Sequence, residues 1–186
     1  AADLTAAADR YTHLAWSFAA VGADNTLAPA AADDTTSYAA FVALKATRPA
    51  LRTLIAVGGW AFNDGPTRER WSDMTATAAG RRRFAASAVS FVTAHGFDGV
   101  DLDWEHPSAA DRGGRPEDKA NYVALAAELR AALDGASAKR GRAGGDAYTL
   151  SVAVPCGGGY LSGFDLPGMA RHVDWIGAMC YDLAGA

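Results

Sequence analysis

Phe97-Asp98-Gly99-Val100-Asp101-Leu102-Asp103-Trp104-Glu105-His106-Pro107 alternates acidic and apolar side chains with a period of two. Successive side chains of a strand point to opposite faces. Asp101, Asp103 and Glu105 therefore share one face, and Val100, Leu102 and Trp104 share the other. The apolar face suits packing against helices. Three carboxylates so close on a core strand cannot all ionise easily in a low dielectric. Protons must be shared, and at least one carboxyl is expected to titrate high. A fold produces a general acid near neutral pH in this way. Glu105 ends the strand, where it reaches the carboxyl-end face of a parallel sheet. Asp103 lies one pleat deeper and can hydrogen-bond to it or to a ligand. A capping or salt-bridge cluster would account for a single acid; it accounts poorly for D-x-D-x-E on one face.

Working outward, short apolar runs bounded by Gly, Pro, Asp or Asn predict strands at 13–20, 51–58, 97–103, 148–154 and 173–180. Helical patterns lie between them. One covers 37–48 and stops before Pro49. A second, 81–95, aligns Phe84, Ala88, Phe91, Val92 and His95, with Gly96 at its end. A third, 117–133, aligns Tyr122, Leu125, Leu129 and Leu133 and is expected to end at Asp134-Gly135. A short one covers 167–172. Repeated strand–helix–strand order means a parallel sheet with helices outside it. A closed eightfold barrel and an open doubly wound sheet both fit. Glycine-rich stretches at 112–115, 141–145 and 157–159 read as loops. No linker or internal repeat marks a second domain.

Composition narrows the classes further. The chain has 186 residues and a formal net charge of −4. Half the residues count as hydrophobic, but 44 are alanine, so the core must rest on the larger aliphatic and aromatic side chains. No apolar run approaches the ~18 residues of a membrane span. The acidic balance argues against general nucleic-acid binding, and Arg81-Arg82-Arg83 reads as a solvated helix face. No leading signal peptide is visible. Cys156 and Cys180 cannot make a disulfide-rich scaffold; they fall near the ends of neighbouring strands, where a disulfide could form, but free, buried thiols are the favoured reading. His13, His95, His106 and His172 show no metal-ligand spacing; His95 reads as structural and His106 as a possible ligand contact. Cys156-Gly157-Gly158-Gly159 matches neither a phosphate loop nor a nucleophile elbow. Trp60 follows Gly58-Gly59 at a strand end and fits either stacking against a ligand or packing in the core, while Trp16, Trp71 and Trp175 read as structural.

Two carboxylates on one strand also limit the chemistry. A retaining glycosidase with a carboxylate nucleophile needs two carboxyls about 5–5.5 Å apart on either side of the scissile bond. Asp103 and Glu105 lie roughly 6–7 Å apart along one strand and approach from one side. No second strand end offers an equally clear nucleophile. A 2-acetamido sugar supplies its own.

Asp98-Gly99-Val100-Asp101-Leu102-Asp103-Trp104-Glu105 resembles the D-x-x-D-x-D-x-E signature of glycoside hydrolase family 18, the chitinases. Leu54–Trp60 resembles the family's S-x-G-G strand, and Met179-Cys180-Tyr181-Asp182-Leu183 its M-x-Y-D strand. Trp60–Asp64 and Gly114–Asp118 look most like the fungal chitinases related to killer-toxin subunits. The resemblance implies a (β/α)8 TIM-barrel type of α/β fold and a chitinase acting on β-1,4-linked N-acetylglucosamine. Glu105 would be the general acid/base. Asp103 would orient the substrate acetamido group, whose oxygen attacks C1, and Asp101 would share a proton with Asp103. Tyr181 would donate to the acetamido oxygen. Asp182, Met179, Trp60 and Gly59 would contribute to substrate binding. No metal or organic cofactor is implied, and a secreted or cell-wall location is.

Ala56 stands where the family usually has Ser, which leaves the inner Asp101 without its usual support. His106 replaces the common Tyr, and Cys180 the usual Thr or Ser. The length departs more. A barrel of this type needs ~250 residues. By resemblance the chain covers the second to sixth strands, about five of eight, as one partial barrel catalytic domain over 1–186. Such an arc would leave two sheet edges open. Two other functions fit the motif: a non-catalytic chitin-binding chitinase-like protein, and an endo-β-N-acetylglucosaminidase acting on N-glycans. The presence of Glu105 argues against the first, and the loop segments against the second.

Overall fold

The computed structural model describes Ala8 and residues 10–181. Its centre is one sheet of six strands. β1 is His13–Val21, β2 Leu27–Pro29, β3 Arg52–Gly58, β4 Gly99–Asp103, β5 Thr149–Pro155 and β6 Trp175–Met179. Their order is β2-β1-β3-β4-β5-β6, with β1, β3, β4, β5 and β6 parallel and β2 antiparallel to β1. The five parallel strands match the five expected from sequence.

Helices cover the outer face: α1 Asp34–Val42, α2 Arg70–Thr75, α3 Ala78–His95, α4 Asp118–Lys139, α5 Gly158–Leu161 and α6 Leu166–Met169. Their apolar stripes meet the outward-facing residues of β3 to β5. Val100, Leu102 and Trp104 are fully buried there. The Trp104 indole lies parallel to that of Trp71 from α2, with centroids 5.6 Å apart. Its other neighbour is Tyr122 of α4, whose hydroxyl donates to the Leu102 carbonyl at 3.2 Å. Helix α3 begins where Thr77 accepts from the Gly80 N–H and ends at Gly96, in the left-handed conformation. The sheet curls so that His13 and Trp175, at the starts of β1 and β6, meet edge to face with centroids 4.7 Å apart.

Three expectations are corrected. First, the β1 edge is not bare: β2 pairs with Ala19, Ala20 and Val21. Three residues carry too little periodicity to show in a sequence. Second, α4 runs through Asp134-Gly135 to Lys139. Its continuation buries Ala136 and Ser137, and the Ser137 hydroxyl accepts from the Tyr148 N–H at 2.9 Å. That docking outweighs the ~1 kcal/mol helix penalty of one glycine. A Cβ built at Gly135 meets nothing within 4 Å. Gly135→Ala should therefore stabilise the protein by about 0.5–1 kcal/mol, seen as a higher urea midpoint with an unchanged slope. A lower midpoint would mean that the helix is not continuous there.

Third, Cys156 and Cys180 form a disulfide rather than two free thiols. Pro155 and Met179 are partners in the β5–β6 register. The next residue on each strand therefore lies beside the other, with Cα atoms 5.1 Å apart, within the normal span of the bond. The sequence places the two cysteines near neighbouring strand ends; the β5–β6 register is what brings them into bonding distance.

Candidate active site

The carboxyl ends of the parallel strands open into a cavity of about 470 Å³. Trp60 follows β3, Glu105 and His106 follow β4, Tyr160 lies on α5, and Met179 and Tyr181 stand at and beyond the end of β6; all line it. Trp60 is 52% exposed and Tyr181 64%. The cavity lining thus combines aromatic side chains with a carboxylate. Among the described residues that line it, Glu105 is the one carboxylate.

Behind Glu105 the acidic face of β4 descends into the sheet. Asp103 is buried, and its Oδ1 has no hydrogen-bond partner among the described residues. Burial pushes its pKa up to about 7, and the charges of Glu105 and Asp101 add to the rise. Asp101 is also pushed up by burial, against the opposing hydrogen bond from Ser151. That bond, from the Ser151 hydroxyl to Asp101 Oδ1, is 2.5 Å long. Asp101 pairs with Ala56 on one side and Ser151 on the other. Asp101 thus draws a hydroxyl donor from β5, while Ala56 on β3 offers none. Ser151 carries no local sequence signal, because its partner is fifty positions away.

Gly58 and Gly59 allow this strand end to form. A Cβ at Gly58 would lie 2.4 Å from the Asp103 carbonyl, and φ there is +105°. The Gly59 N–H donates to that same carbonyl at 2.8 Å. Gly59 rests against the Phe18 ring and does not line the cavity. Asp182 lies outside the described residues.

His106 is buried, with its ring stacked on Tyr160 at 4.2 Å. Its Nε2 comes within 3.6 Å of Glu105 Oε2. Burial, with the positive charge of Arg112, lowers its pKa to about 4 against a smaller opposing pull from Asp111. His106 is therefore neutral at pH 7, and this contact is not an ion pair there. Arg112, read from sequence only as part of a glycine-rich loop, is buried beside the site. It ion-pairs with Asp64 at 2.8 Å and donates to the carbonyls of Trp60 and Glu105.

The raised pKa of Asp103 has a consequence for stability. An unfolded Asp titrates near 3.9. Between about pH 4 and pH 7 the folded protein holds a proton that the unfolded chain has released. Stability from this group is full below pH 4 and is lost as pH rises towards 7. Asp103→Asn removes that slope. The unfolding free energy of the variant minus that of the wild type should therefore rise steadily across this window in urea titrations. A difference independent of pH would contradict the shift.

The comparisons agree with this architecture. The model for glycosyl hydrolases family 18 matches residues 2–186. Chitinase A1 of Niallia circulans is 44% identical over 146 residues, 77% of this chain and 20% of that protein. A family 18 N-acetylglucosaminidase from Paenibacillus barengoltzii superposes with a TM-score of 0.84 at 32% identity, over 97% of this chain and 50% of that one. A class V chitinase mutant from Nicotiana tobaccum, solved in complex with NAG4, gives 0.80 at 27% identity over 96% of this chain and 48% of that one. The chain therefore spans about half the length of these solved relatives and a smaller share of the curated one. With a match over almost every residue, and with the sheet and its acidic strand in the expected arrangement, this chain belongs to family 18 of the glycosyl hydrolases.

Proposed function

We propose that the protein is a chitinase that cleaves β-1,4 links between N-acetylglucosamine units with retention, using the substrate's acetamido group as nucleophile. The observation that carries this reading is that, among the described residues lining an aromatic-rich cavity, Glu105 is the one carboxylate, backed by the buried Asp103 and the partly buried Asp101, both with raised pKa values. One carboxylate cannot both protonate the leaving group and attack from the opposite face. A sugar that carries its own nucleophile removes the need for a second.

In this mechanism Glu105 protonates the glycosidic oxygen while the acetamido oxygen attacks C1. The bond to the leaving sugar breaks, and an oxazolinium ion forms. Asp103 accepts from the acetamido N–H and so aims the carbonyl oxygen. Its buried, unpartnered Oδ1 is suited to that bond. Asp101, held by Ser151, takes up the proton shared along the strand. Tyr181 donates to the acetamido oxygen, Asp182 bonds the cleaved sugar, and Met179 lines the floor. Water, deprotonated by Glu105, then opens the ring. Holding nucleophile and electrophile in one sugar supplies the proximity advantage. Trp60 offers an exposed indole for ring stacking at the cavity mouth.

The likeness of Trp60–Asp64 and Gly114–Asp118 to killer-toxin-related fungal chitinases supports a place near that subgroup. The Cys156–Cys180 disulfide supports an oxidising, extracellular setting. None of the helices among the described residues is long and apolar enough to cross a membrane. Incubation with tetra-N-acetylchitotetraose and, separately, with an N-glycan tests the reading. Shorter chito-oligosaccharides should appear from the first and nothing from the second. Cleavage of the N-glycan alone would make the protein an endo-β-N-acetylglucosaminidase. Binding of the tetrasaccharide without cleavage would make it a lectin-like relative.

A further inference from the structure

The short turn Ala110–Arg112, which follows the acidic strand, touches two walls of the cavity through adjacent side chains. The Arg112 guanidinium lies over the Trp60 indole with Cζ 3.8 Å from the ring centroid. One of its amino groups donates to the Trp60 carbonyl, and its Nε donates to the Glu105 carbonyl at 3.3 Å. The remaining amino group pairs with Asp64. One planar fork thus joins the loop after β3 to the backbone of Glu105. The next residue back, Asp111, accepts the hydroxyl of Tyr160 at 2.7 Å. Tyr160 stacks on His106, and His106 stands edge-on to Trp60 with centroids 6.1 Å apart. The turn is itself tied down. Arg68 donates to the carbonyls of Ala110 and Asp111 at 2.9 and 3.0 Å. Gly113 closes the turn with φ of +77°, against the Arg68 carbonyl.

We propose that Asp111 and Arg112 are positioning residues that set the width of the sugar cleft, Arg112 by holding Trp60 and Asp111 by holding Tyr160. This rests on the sugar-binding reading above. An exposed indole hinges freely about two side-chain torsions. A guanidinium on one face, anchored through the same residue's carbonyl, leaves the opposite face fixed and open for a sugar ring. Pre-organisation of this kind raises affinity by removing an ordering cost. Lysine keeps the charge but cannot form the three-way fork. The proposal therefore depends on geometry, and a Lys replacement should not rescue it.

The test uses protein labelled with 5-fluorotryptophan, with the Trp60 fluorine resonance assigned by its loss in Trp60→Phe. In Arg112→Lys that resonance should shift and sharpen without any ligand, and the Kd for tetra-N-acetylchitotetraose should rise about tenfold. At saturating substrate kcat should change less than Kd. Asp111→Ala should weaken binding in the same direction. Arg115→Ala, which removes ion pairs to Glu69 and Asp73 from the same loop without touching the cavity, should move neither readout. An Arg112→Lys protein with the wild-type Trp60 resonance and wild-type affinity overturns the proposal. A wild-type protein that fails to bind the tetrasaccharide overturns instead the sugar reading on which it rests.

Discussion

Glu105→Gln should lower kcat on chito-oligosaccharides by about 10²–10⁴-fold while leaving tetrasaccharide binding close to wild type. The amide has nearly the same shape but can neither give a proton to the leaving oxygen nor take one from water. General acid–base catalysis is worth about that factor. Glu105 lines the cavity with a side chain only 14% exposed, so no bulk buffer acid replaces it readily. A second signature follows from the electrostatics. Burial is the main cause of the raised Asp103 pKa, and the Glu105 charge is the next. The variant should therefore lower the Asp103 pKa from its value near 7. Initial rates at saturating substrate, calorimetric binding and a titration of the Asp103 carboxyl carbon together check this. A variant that retains more than a tenth of kcat would remove Glu105 from the chemistry.

Asp98→Ala should cost about 3–5 kcal/mol of stability, the usual result of breaking a buried ion pair. Asp98 opens the acidic signature but lies at the opposite end of β4 from the cavity. It pairs with Lys45 at 2.6 Å and with Arg142 at 2.8 Å. It also accepts from the buried Thr53 N–H at 3.0 Å, a bond that ties β3 to the start of β4. Burial alone would raise its pKa, but Lys45, the Thr53 N–H and Arg142 outweigh it and hold the carboxyl below the usual range. Its contribution is therefore fully present above about pH 4 and is lost as pH falls through the lowered folded value. Asp98→Asn keeps an acceptor for Thr53 and should cost less. Urea unfolding at pH 7 decides: a loss under 1 kcal/mol for Asp98→Ala would show that the two cations are satisfied by solvent instead.

This placement of Asp98 illustrates what a single sequence could show. The alternation from Val100 to Glu105 is a local property, so the two faces of β4 were legible without any partner strand. The apolar runs of β3 and β5 and the Gly96 stop of α3 were legible for the same reason. Features set by contacts between distant residues were not. Ser151 reaches Asp101 only because β5 pairs with β4 in that register. The Cys156–Cys180 disulfide depends on the register of β5 with β6. Arg112 reached Trp60 and Asp64 across some fifty positions, and its glycine-rich surroundings signalled only a loop. Helix α4 outran its apparent Gly135 stop because Ser137 docks onto Tyr148, which no local propensity records. Family resemblance named the roles of Glu105, Asp103 and Tyr181. The structure adds the burial and charge that make Asp103 fit for its proposed part.

In the proposed mechanism Glu105 acts with the substrate's own acetamido group as nucleophile, so the β configuration is retained at C1. Proton NMR of the anomeric region during the first turnovers of tetra-N-acetylchitotetraose tests it most directly. The new reducing ends should appear first as the β anomer and mutarotate afterwards, and Glu105→Gln should give no such signal. Products that appear first as the α anomer, or a Glu105→Gln protein that generates them at the wild-type rate, would contradict it.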